Sequence, residues 1–282
     1  MTDAHCHPRD LLLYLKNAEE ERRETGTAAA ASSWNLEEFE YHEGLARKAE
    51  VDGAPRLFCC FALHPQLSAD SQFYANTQID GGFKKGGFTA EAGFELLRSL
   101  AAQGRVDAVG ETGFDLFDDK YRAGEKLQEE MFVSHLETAL KYDLPVIIHA
   151  RKAMHKLFPY AEKLKKLPAI VFHSWPGTKG EGEAWLKKGV NAFFSFGSAV
   201  LKNHKDAMAS AACFPAERIL LETDAPYQPL RGKSFSSYGD LKATLAGIAA
   251  LRKEAGSSFA GHEELEQATT GNFFRVFLNH NS

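Results

Sequence analysis

Eight short runs of apolar, β-branched or aromatic residues recur along the chain, and stretches with helical periodicity separate them. Some runs, such as PVIIHA at residues 145–150, are continuously apolar, which is typical of parallel strands covered on both faces. Eight strands that alternate with helices predict an α/β fold, a (β/α)8 TIM barrel, in a single domain over residues 1–282. The predicted strands are the opening segment up to His5, Thr27–Trp34, Arg56–Pro65, Val106–Gly113, Pro145–Ala150, Ala169–Ser174, Asn191–Gly197 and Arg218–Pro226.

An open, doubly wound sheet would show the same alternation, so the first turn after strand one is informative. Such sheets usually carry a glycine-rich phosphate loop there, whereas this chain reads HCHPRD at residues 5–10. The barrel is therefore the favoured prediction. One region of the sequence is irregular. In Gln78–Phe94 four glycines flank two lysines, and this composition predicts a long loop after the third strand, either a lid or an insertion.

The composition excludes several broad classes of protein. The net charge of −5 provides no global basic field that would gather nucleic acid, so phosphate binding requires a local patch or bound cations. No apolar run approaches the roughly 18 residues of a membrane span, and no signal-peptide pattern is present, so the predicted location is cytoplasmic without membrane contact. The four cysteines form no C-x-x-C pair, and adjacent Cys59 and Cys60 are predicted to be buried free thiols in a reducing cytosol.

Residues that can bind metal or move protons stand where the predicted strands end. In a barrel the carboxyl ends of the strands form one face, so residues far apart in sequence converge there. Six of the eight runs end in this way, which makes a shared site the expected outcome. The residues are His5, His7, His64, Glu111, His149, His173 and Asp224.

The residue types at these strand ends suit two divalent metal ions. Since side chains alternate along a strand, His5 and His7 point the same way, whereas Cys6 points outward into packing. Four histidines and two carboxylates are too few for two separate sites, and Glu111 is the natural residue to bridge two ions. Imidazole ligands favour zinc, and carboxylates also admit manganese or magnesium.

Each of these residues also has an ordinary structural interpretation. A single histidine after a strand is more often a helix cap or a hydrogen-bonded core residue, and Asp224 alone would suit a helix cap. The recurrence at successive strand ends favours the metal site. The other histidines fall in helical or loop stretches and are predicted to lie on the surface or in packing: His42, His135, His155, His204, His262 and His280.

Six motifs occur in order along the chain: DAHCHP at 3–8, LHP at 63–65, GETGFD at 110–115, LPVIIHARKA at 144–153, VFHSWPG at 171–177 and LLETDAP at 220–226. Together with NFF at 272–274, they resemble the TatD-type metal-dependent deoxyribonucleases. The resemblance implies a (β/α)8 barrel that cleaves phosphodiester bonds from the 3′ end of DNA, commonly with magnesium. Some relatives in that family have other hydrolytic roles, including editing of mischarged tRNA.

The resemblance also implies a ligand set for each metal ion. These ligands are His5, His7, Glu111 and Asp224 for one ion, and Glu111, His149 and His173 for the other. His64 matches a histidine that lines the same pocket and contacts a phosphate.

The predicted reaction is a metal-assisted hydrolysis without a covalent intermediate, in which Glu111 holds the two ions. The ions would lower the pKa of a bridging water, Asp224 would accept its proton, and His64 would stabilise charge on a phosphate oxygen. Substrate contacts are predicted at Arg151 and Arg231 for the phosphate backbone and at Trp175 and Tyr227 for base stacking.

Three functions are compatible with this sequence. The first is a 3′–5′ exonuclease on single-stranded DNA, with no obligate protein partner. The second is a two-metal hydrolase of another ester or amide, such as an aminoacyl-tRNA or a small phosphoester, because the same hydroxide would serve. The third is an inactive metal-binding scaffold, against which the intact set of six presumed ligands argues.

Overall fold

The computed structural model describes residues 1–69 and 89–278, which form a (β/α)8 barrel. Eight parallel strands pair in sequence order from β1 to β8, as the alternation of strands and helices predicts. The strands are β1 Thr2–Cys6, β2 Ala28–Ser33, β3 Leu57–Phe61, β4 Ala108–Asp115, β5 Val146–Arg151, β6 Ile170–Phe172, β7 Ala192–Phe196 and β8 Ile219–Leu221.

The helices of the described ranges surround these strands or cap the barrel. The α-helices are α1 Pro8–Leu11, α2 Ala18–Glu24, α3 Leu36–Asp52, α4 Ala90–Ala102, α5 Asp119–Ala123, α6 Glu125–Tyr142, α7 Met154–Leu157, α8 Ala161–Leu164, α9 Lys179–Lys187, α10 Lys205–Cys213, α11 Leu241–Glu254 and α12 His262–Leu278. Short 3-10 helices lie at Pro65–Ala69, Phe158–Tyr160, Ser198–Leu201, Ala216–Arg218 and Tyr238–Asp240. None of the helices in the described ranges is long and apolar enough to cross a membrane.

The barrel closes where the end of β8 meets β1. The Asp224 N–H donates to the His5 carbonyl at 3.0 Å, and the His7 N–H donates to the Ala225 carbonyl at 2.8 Å. The buried Asp3 carboxylate adds two bonds from Thr223, one from its N–H at 2.9 Å and one from its hydroxyl at 2.6 Å. These bonds hold the end of β1 next to the segment that follows β8, so residues from the two ends of the barrel sequence lie side by side.

Strand β2 forms although its sequence, AAAASS, has poor strand propensity. All six residues are buried, and the strand pairs with β1 on one side and β3 on the other. The backbone hydrogen bonds of two neighbours and complete burial outweigh the weak intrinsic preference. Small side chains here leave room inside the barrel for large ones, such as Phe58 from β3.

Helix α12 covers the amino-terminal end of the barrel. Phe273, Val276 and Phe277 pack in one apolar cluster with residues near the strand starts, including Ala28 and Phe58. The Asn272 side chain donates to two backbone carbonyls at the start of β8. One end of the barrel is therefore filled with apolar side chains, and the opposite, carboxyl end remains for polar chemistry.

The predicted loop Gln78–Phe94 ends earlier than the sequence indicates. Residues 78–88 lie outside the described ranges, but α4 begins at Ala90, so the prediction is wrong for residues 90–94. The Thr89 side chain accepts a hydrogen bond from the Ala92 N–H and caps the helix.

The histidines outside the strand ends divide into two groups. His155, His204 and His262 are exposed, whereas His42 and His135 are buried and hydrogen bonded. His280 lies outside the described residues.

Buried His135 makes the protein sensitive to acid. Its Nε2 accepts from the Leu63 N–H at 3.2 Å, its Nδ1 lies 2.6 Å from the Thr112 hydroxyl, and burial lowers its pKa from 6.5 to about 3. The unfolded chain therefore binds this proton at a higher pH than the native state, and stability falls as the pH drops from 6.5 towards 3.

We expect His135→Gln to reduce the loss of unfolding free energy between pH 7.5 and 5.0 by about 2 kcal/mol. Urea unfolding of both proteins at the two pH values measures this difference, because all other titrating groups are shared. Equal pH dependence in the two proteins would show that His135 already binds a proton in the native state.

Candidate metal centre

The Glu111 carboxylate lies buried at the centre of the carboxyl face, and three imidazoles surround its Oε1 atom. His149 Nδ1 is 2.6 Å from Oε1, and the Nε2 atoms of His64 and His173 are each 3.4 Å away. These residues come from β5 and from the segments after β3 and β6, so only the closed barrel brings them together.

The other oxygen of Glu111 faces a second group of ligand atoms. His5 Nε2 is 3.1 Å from Oε2 and His7 Nε2 is 3.8 Å away. Asp224 Oδ1 lies 3.6 Å from His5 Nε2 and 3.5 Å from His7 Nε2, and Asp224 Oδ2 is 3.9 Å from His173 Nε2. Glu111 therefore separates two clusters of donors, one on each of its oxygens.

The donor atoms are close enough to share metal ions. In residues 1–69 and 89–278, three overlapping sets have all of their donor atoms within 4.8 Å of one another. The sets are His5, His173 and Asp224; His5, His7 and Glu111; and His64, Glu111 and His149. Imidazole and carboxylate donors in this mixture suit zinc, manganese or magnesium. The residues present therefore fit divalent metal ions.

The electrostatics of the site also favour positive charge. Burial alone would raise the pKa of Glu111, but the imidazoles, His64 foremost, hold it well below its ordinary value. Burial opposes protonation of His149 and His173, yet Glu111 and Glu222 foremost raise their pKa values to about 9 and about 10. Carboxylates that stabilise positive charge at two neighbouring places would stabilise divalent cations there.

Strands β6 and β8 are shorter than predicted because the chain bends sharply at the site. Each has three residues, and His173 and Asp224 lie beyond their ends. Ser174 has φ 42° and Asp224 has φ 54°, in the left-handed region that residues other than glycine seldom adopt. Gln228 connects the two bends, because its Nε2 donates to Asp224 Oδ2 at 2.7 Å and to the Ser174 hydroxyl at 3.0 Å.

Two buried carboxylates outside the predicted ligand set, Glu222 and Asp115, lie behind the histidines. Both oxygens of Glu222 are 3.1 Å from His173 Nδ1, and Asp115 Oδ2 is 3.2 Å from His149 Nε2. Both residues stand inside quoted motifs, ETD and GETGFD. A signal for Glu222 was present, because it precedes Asp224 by two residues and so can share its face of the strand.

Trp175 is placed differently from the prediction. Its side chain is buried, its ring packs against Phe172 and Phe194, and its Nε1 donates to the Ser210 hydroxyl at 3.1 Å. Trp175 is among the residues that line the cleft, but the side chain is only 3% exposed, so its ring offers little surface to a base. The predicted stacking role of Trp175 is therefore not supported by the structure.

The other predicted substrate contacts lie near the surface. Tyr227 is 48% exposed, packs edge-on against His7, and donates its hydroxyl to Asp10 Oδ2 at 2.9 Å. Arg151 is exposed at the end of β5 and lines the cleft above the metal centre. Arg231 is exposed in the loop after β8, but it is not among the described residues that line this cleft.

The cleft has a volume of about 1180 Å³ and a cationic rim. Among the described residues outside the metal centre, two carboxylates line it, Asp10 and Asp206. Five basic side chains line it, none of which forms an ion pair with a carboxylate in the described ranges: Lys120, Arg151, Lys152, Lys202 and Lys205. The local charge is thus opposite in sign to the net charge of the chain, and it suits a polyanion.

The fold and the site define a class of protein: a (β/α)8 barrel with a histidine and carboxylate centre for divalent metals at its carboxyl face. The family described as TatD related DNase matches residues 2–278, and the chain belongs to this family.

The names of several curated relatives denote an exonuclease or a metal-dependent hydrolase. The "3'-5' ssDNA/RNA exonuclease TatD" of Escherichia fergusonii is 31% identical over 194 residues, which cover 68% of this chain and 65% of that protein. The "Uncharacterized metal-dependent hydrolase YcfH" of Escherichia coli K12 is 32% identical over 193 residues, covering 65% of this chain and 67% of the relative. The match to the Escherichia coli K12 exonuclease TatD spans 51% of its length. The chain thus matches about half to two thirds of the length of these relatives.

Solved structures of the family have the same fold over nearly the whole chain. The TatD homologue YJJV from Escherichia coli K12 superposes with a TM-score of 0.74 at 23% identity, covering 98% of this chain and 97% of that one. A TatD family hydrolase from Entamoeba histolytica has a TM-score of 0.70 at 16% identity, covering 99% and 98%.

Proposed function

We propose that the chain is a divalent-metal-dependent hydrolase that cleaves phosphodiester bonds of single-stranded DNA from the 3′ end, acting as a single hydrolase domain. The observation that carries the proposal is Glu111, which faces imidazoles with both oxygens at the floor of a cation-rimmed cleft. A relative named as a 3′–5′ exonuclease on single-stranded DNA and RNA supports the substrate class.

Two ions, magnesium, manganese or zinc, would share Glu111. The ligands proposed are His5, His7 and Asp224 on the Oε2 side, and His149 and His173 on the Oε1 side, with His64 beside them. When bound, the ions supply the Lewis acidity that polarises a phosphodiester and activates water. The protein holds the ligand side chains in place and carries the protons.

Asp224 is the residue proposed to move the proton of the attacking water. Gln228 holds its Oδ2 atom, which leaves Oδ1 facing His5 and His7. Burial alone would raise the pKa of Asp224, but His173 and the other imidazoles lower it, so the carboxylate is ionised near neutral pH. An ionised carboxylate can accept the proton and return it to the leaving oxygen.

His64 is proposed to donate a hydrogen bond to the scissile phosphate. Its Nδ1 accepts from the Gln66 N–H at 3.2 Å, and its pKa is lowered, chiefly by burial. A neutral ring that accepts at Nδ1 carries its proton on Nε2. That Nε2 faces Glu111 Oε1 at 3.4 Å, and its N–H would donate instead to a phosphate oxygen on which charge develops.

Substrate binding is proposed to depend on contacts with the rim of the cleft and not on recognition of the base sequence. Arg151 and the rim lysines would contact phosphates, and Tyr227 would contact a base or sugar beside His7. Such contacts bind single strands of any sequence.

A cytoplasmic location without an obligate protein partner is part of the same proposal. Cys6, Cys59 and Cys60 are buried free thiols, which suits a reducing compartment.

The first experiment follows the shortening of a 5′-labelled single-stranded oligodeoxynucleotide with magnesium, manganese or zinc. We expect a stepwise ladder of products shortened from the 3′ end, and we expect EDTA to abolish it. His149→Ala should also lose the ladder, because His149 Nδ1 lies 2.6 Å from Glu111 Oε1 in the proposed metal centre. His155→Ala is the matched control, since His155 is an exposed histidine on α7 that does not line the cleft.

The outcomes separate the site from the substrate. Loss of cleavage in His149→Ala but not in His155→Ala supports both. A metal-loaded protein that leaves the oligonucleotide intact under all three metals would refute the nuclease proposal and direct attention to carboxyl esters and aminoacyl-tRNA.

A further inference from the structure

An exposed aromatic side chain lies in the cleft at the end of β4. Phe117 is 37% exposed and follows Asp115 by two residues. Its ring lines the cation-rimmed cleft, where an exposed phenylalanine has no evident role in packing the core. Trp175, predicted to stack on a base, is 3% exposed, whereas Phe117 presents an exposed ring in the same cleft.

The backbone at Phe117 is fixed relative to the metal centre. The Phe117 N–H donates to Asp115 Oδ1 at 3.0 Å, and Asp115 Oδ2 lies 3.2 Å from His149 Nε2. The Arg122 guanidinium donates to the carbonyls of Leu116 at 2.9 Å and Phe117 at 3.0 Å. One carboxylate therefore contacts both the backbone of Phe117 and the metal-site histidine His149, so the backbone that carries the ring is held close to the metal centre.

Two cations lie against the Phe117 ring. The Arg151 guanidinium carbon is 3.6 Å from the ring centroid and Lys152 Nζ is 4.7 Å from it, both within cation–π range. Neither side chain pairs with a carboxylate anywhere in residues 1–69 or 89–278. An aromatic face combined with two cations that lack acidic partners matches the chemistry of a nucleotide, which presents a flat base and an anionic phosphate.

We propose that Phe117 and Arg151 form a nucleotide subsite in which an unpaired base stacks on the Phe117–Arg151 pair and the adjoining phosphate contacts Arg151 and Lys152. This inference rests on the proposed nuclease function and specifies its substrate. Stacking requires an unpaired base, so the subsite selects single strands over duplexes, and it accepts any base because every base has a π face.

The test pairs two substrates with two variants. One substrate is a single-stranded oligodeoxynucleotide. The other has the same length and backbone, but the three nucleotides at its 3′ end lack bases. For Phe117→Ala we expect KM to rise about tenfold on the normal strand, with kcat within about twofold, and no change on the abasic strand. Phe117→Trp is expected to restore the wild-type KM.

Arg151→Gln is expected to raise KM on both strands, because a phosphate contact does not depend on the base. Phe259→Ala is the matched control for Phe117→Ala, since Phe259 has a similar exposure, 39%, and does not line the cleft.

Each result decides the proposal. Equal losses in Phe117→Ala on normal and abasic strands would indicate a structural role and overturn the subsite, as would an unchanged KM on the normal strand. A wild-type protein that leaves both strands intact would overturn the nuclease function and the subsite with it. Activity of the wild type with an unaffected Phe117→Ala would overturn the subsite alone.

Discussion

Replacing Glu111 by glutamine is expected to lower the proposed nuclease activity by at least about 10³-fold and to reduce the metal bound per chain below the wild-type content. Five imidazole nitrogens lie within 3.8 Å of its two oxygens. Glutamine keeps the shape but removes the charge, and its NH₂ group replaces an acceptor that faces imidazoles. Metal content by mass spectrometry and cleavage of labelled single-stranded DNA measure the two effects.

Glu137→Gln is the matched control, because Glu137 is an exposed residue on α6 and the substitution removes the same charge away from the cleft. It should retain wild-type activity and metal content. If Glu111→Gln keeps both metal ions and full activity, Glu111 is not the bridge between them, and the proposed site must be redrawn around Asp224.

Glutamine at Glu222 is expected to weaken metal binding by about 10- to 100-fold while leaving the maximal rate nearly intact at saturating metal. Glu222 is buried, and both of its oxygens lie 3.1 Å from His173 Nδ1. It is the largest contributor among the carboxylates that raise the pKa of His173 to about 10. Glutamine preserves an acceptor for Nδ1 and the orientation of the ring, but lowers the basicity of Nε2.

The metal dependence of activity distinguishes this role from a purely structural one. A positioning role predicts that added metal restores Glu222→Gln, and that Glu222→Ala, which also frees the ring, is restored less. Glu217→Gln, at an exposed position in the segment before β8, should behave as wild type. A reduced maximal rate that no metal concentration restores, together with a lowered melting temperature, would contradict the positioning role.

Much of the fold could be predicted from local pattern. The apolar run Val146–Ile148 is typical of a strand covered on both faces, and the alternation of such runs with helices, together with a first turn that lacks a glycine-rich loop, favours a barrel. Even β2 could be placed, although by its position in the alternation and not by propensity, because its alanines prefer helix. The exact ends of β6 and β8 could not, since the chain leaves the ladder where the left-handed turns begin.

The residues at the centre of the candidate site could also be predicted from the sequence. The rule that strand ends converge brought Glu111 and five histidines to one face, because the direction of a strand dictates which end meets the others. The side chains that contact this group from behind were only partly predictable, because the spacing of Glu222 and Asp224 gives a signal but does not identify the histidine that Glu222 contacts. Glu222 and Asp115 contact histidines from other strands, and those contacts depend on the register between strands.

The sequence by itself determined the order of strands, the face that carries the chemistry and the identity of the candidate metal ligands, because these follow from periodicity and chain direction. Only the tertiary structure decided which of two aromatic side chains, Trp175 or Phe117, is the more exposed in the cleft. Trp175 and Phe117 both follow strand ends, yet the first packs beneath Phe194 and Phe214, and the second stands beside Arg151 and Lys152. Exposure depends on what neighbouring elements cover, and residues distant in sequence supply that cover.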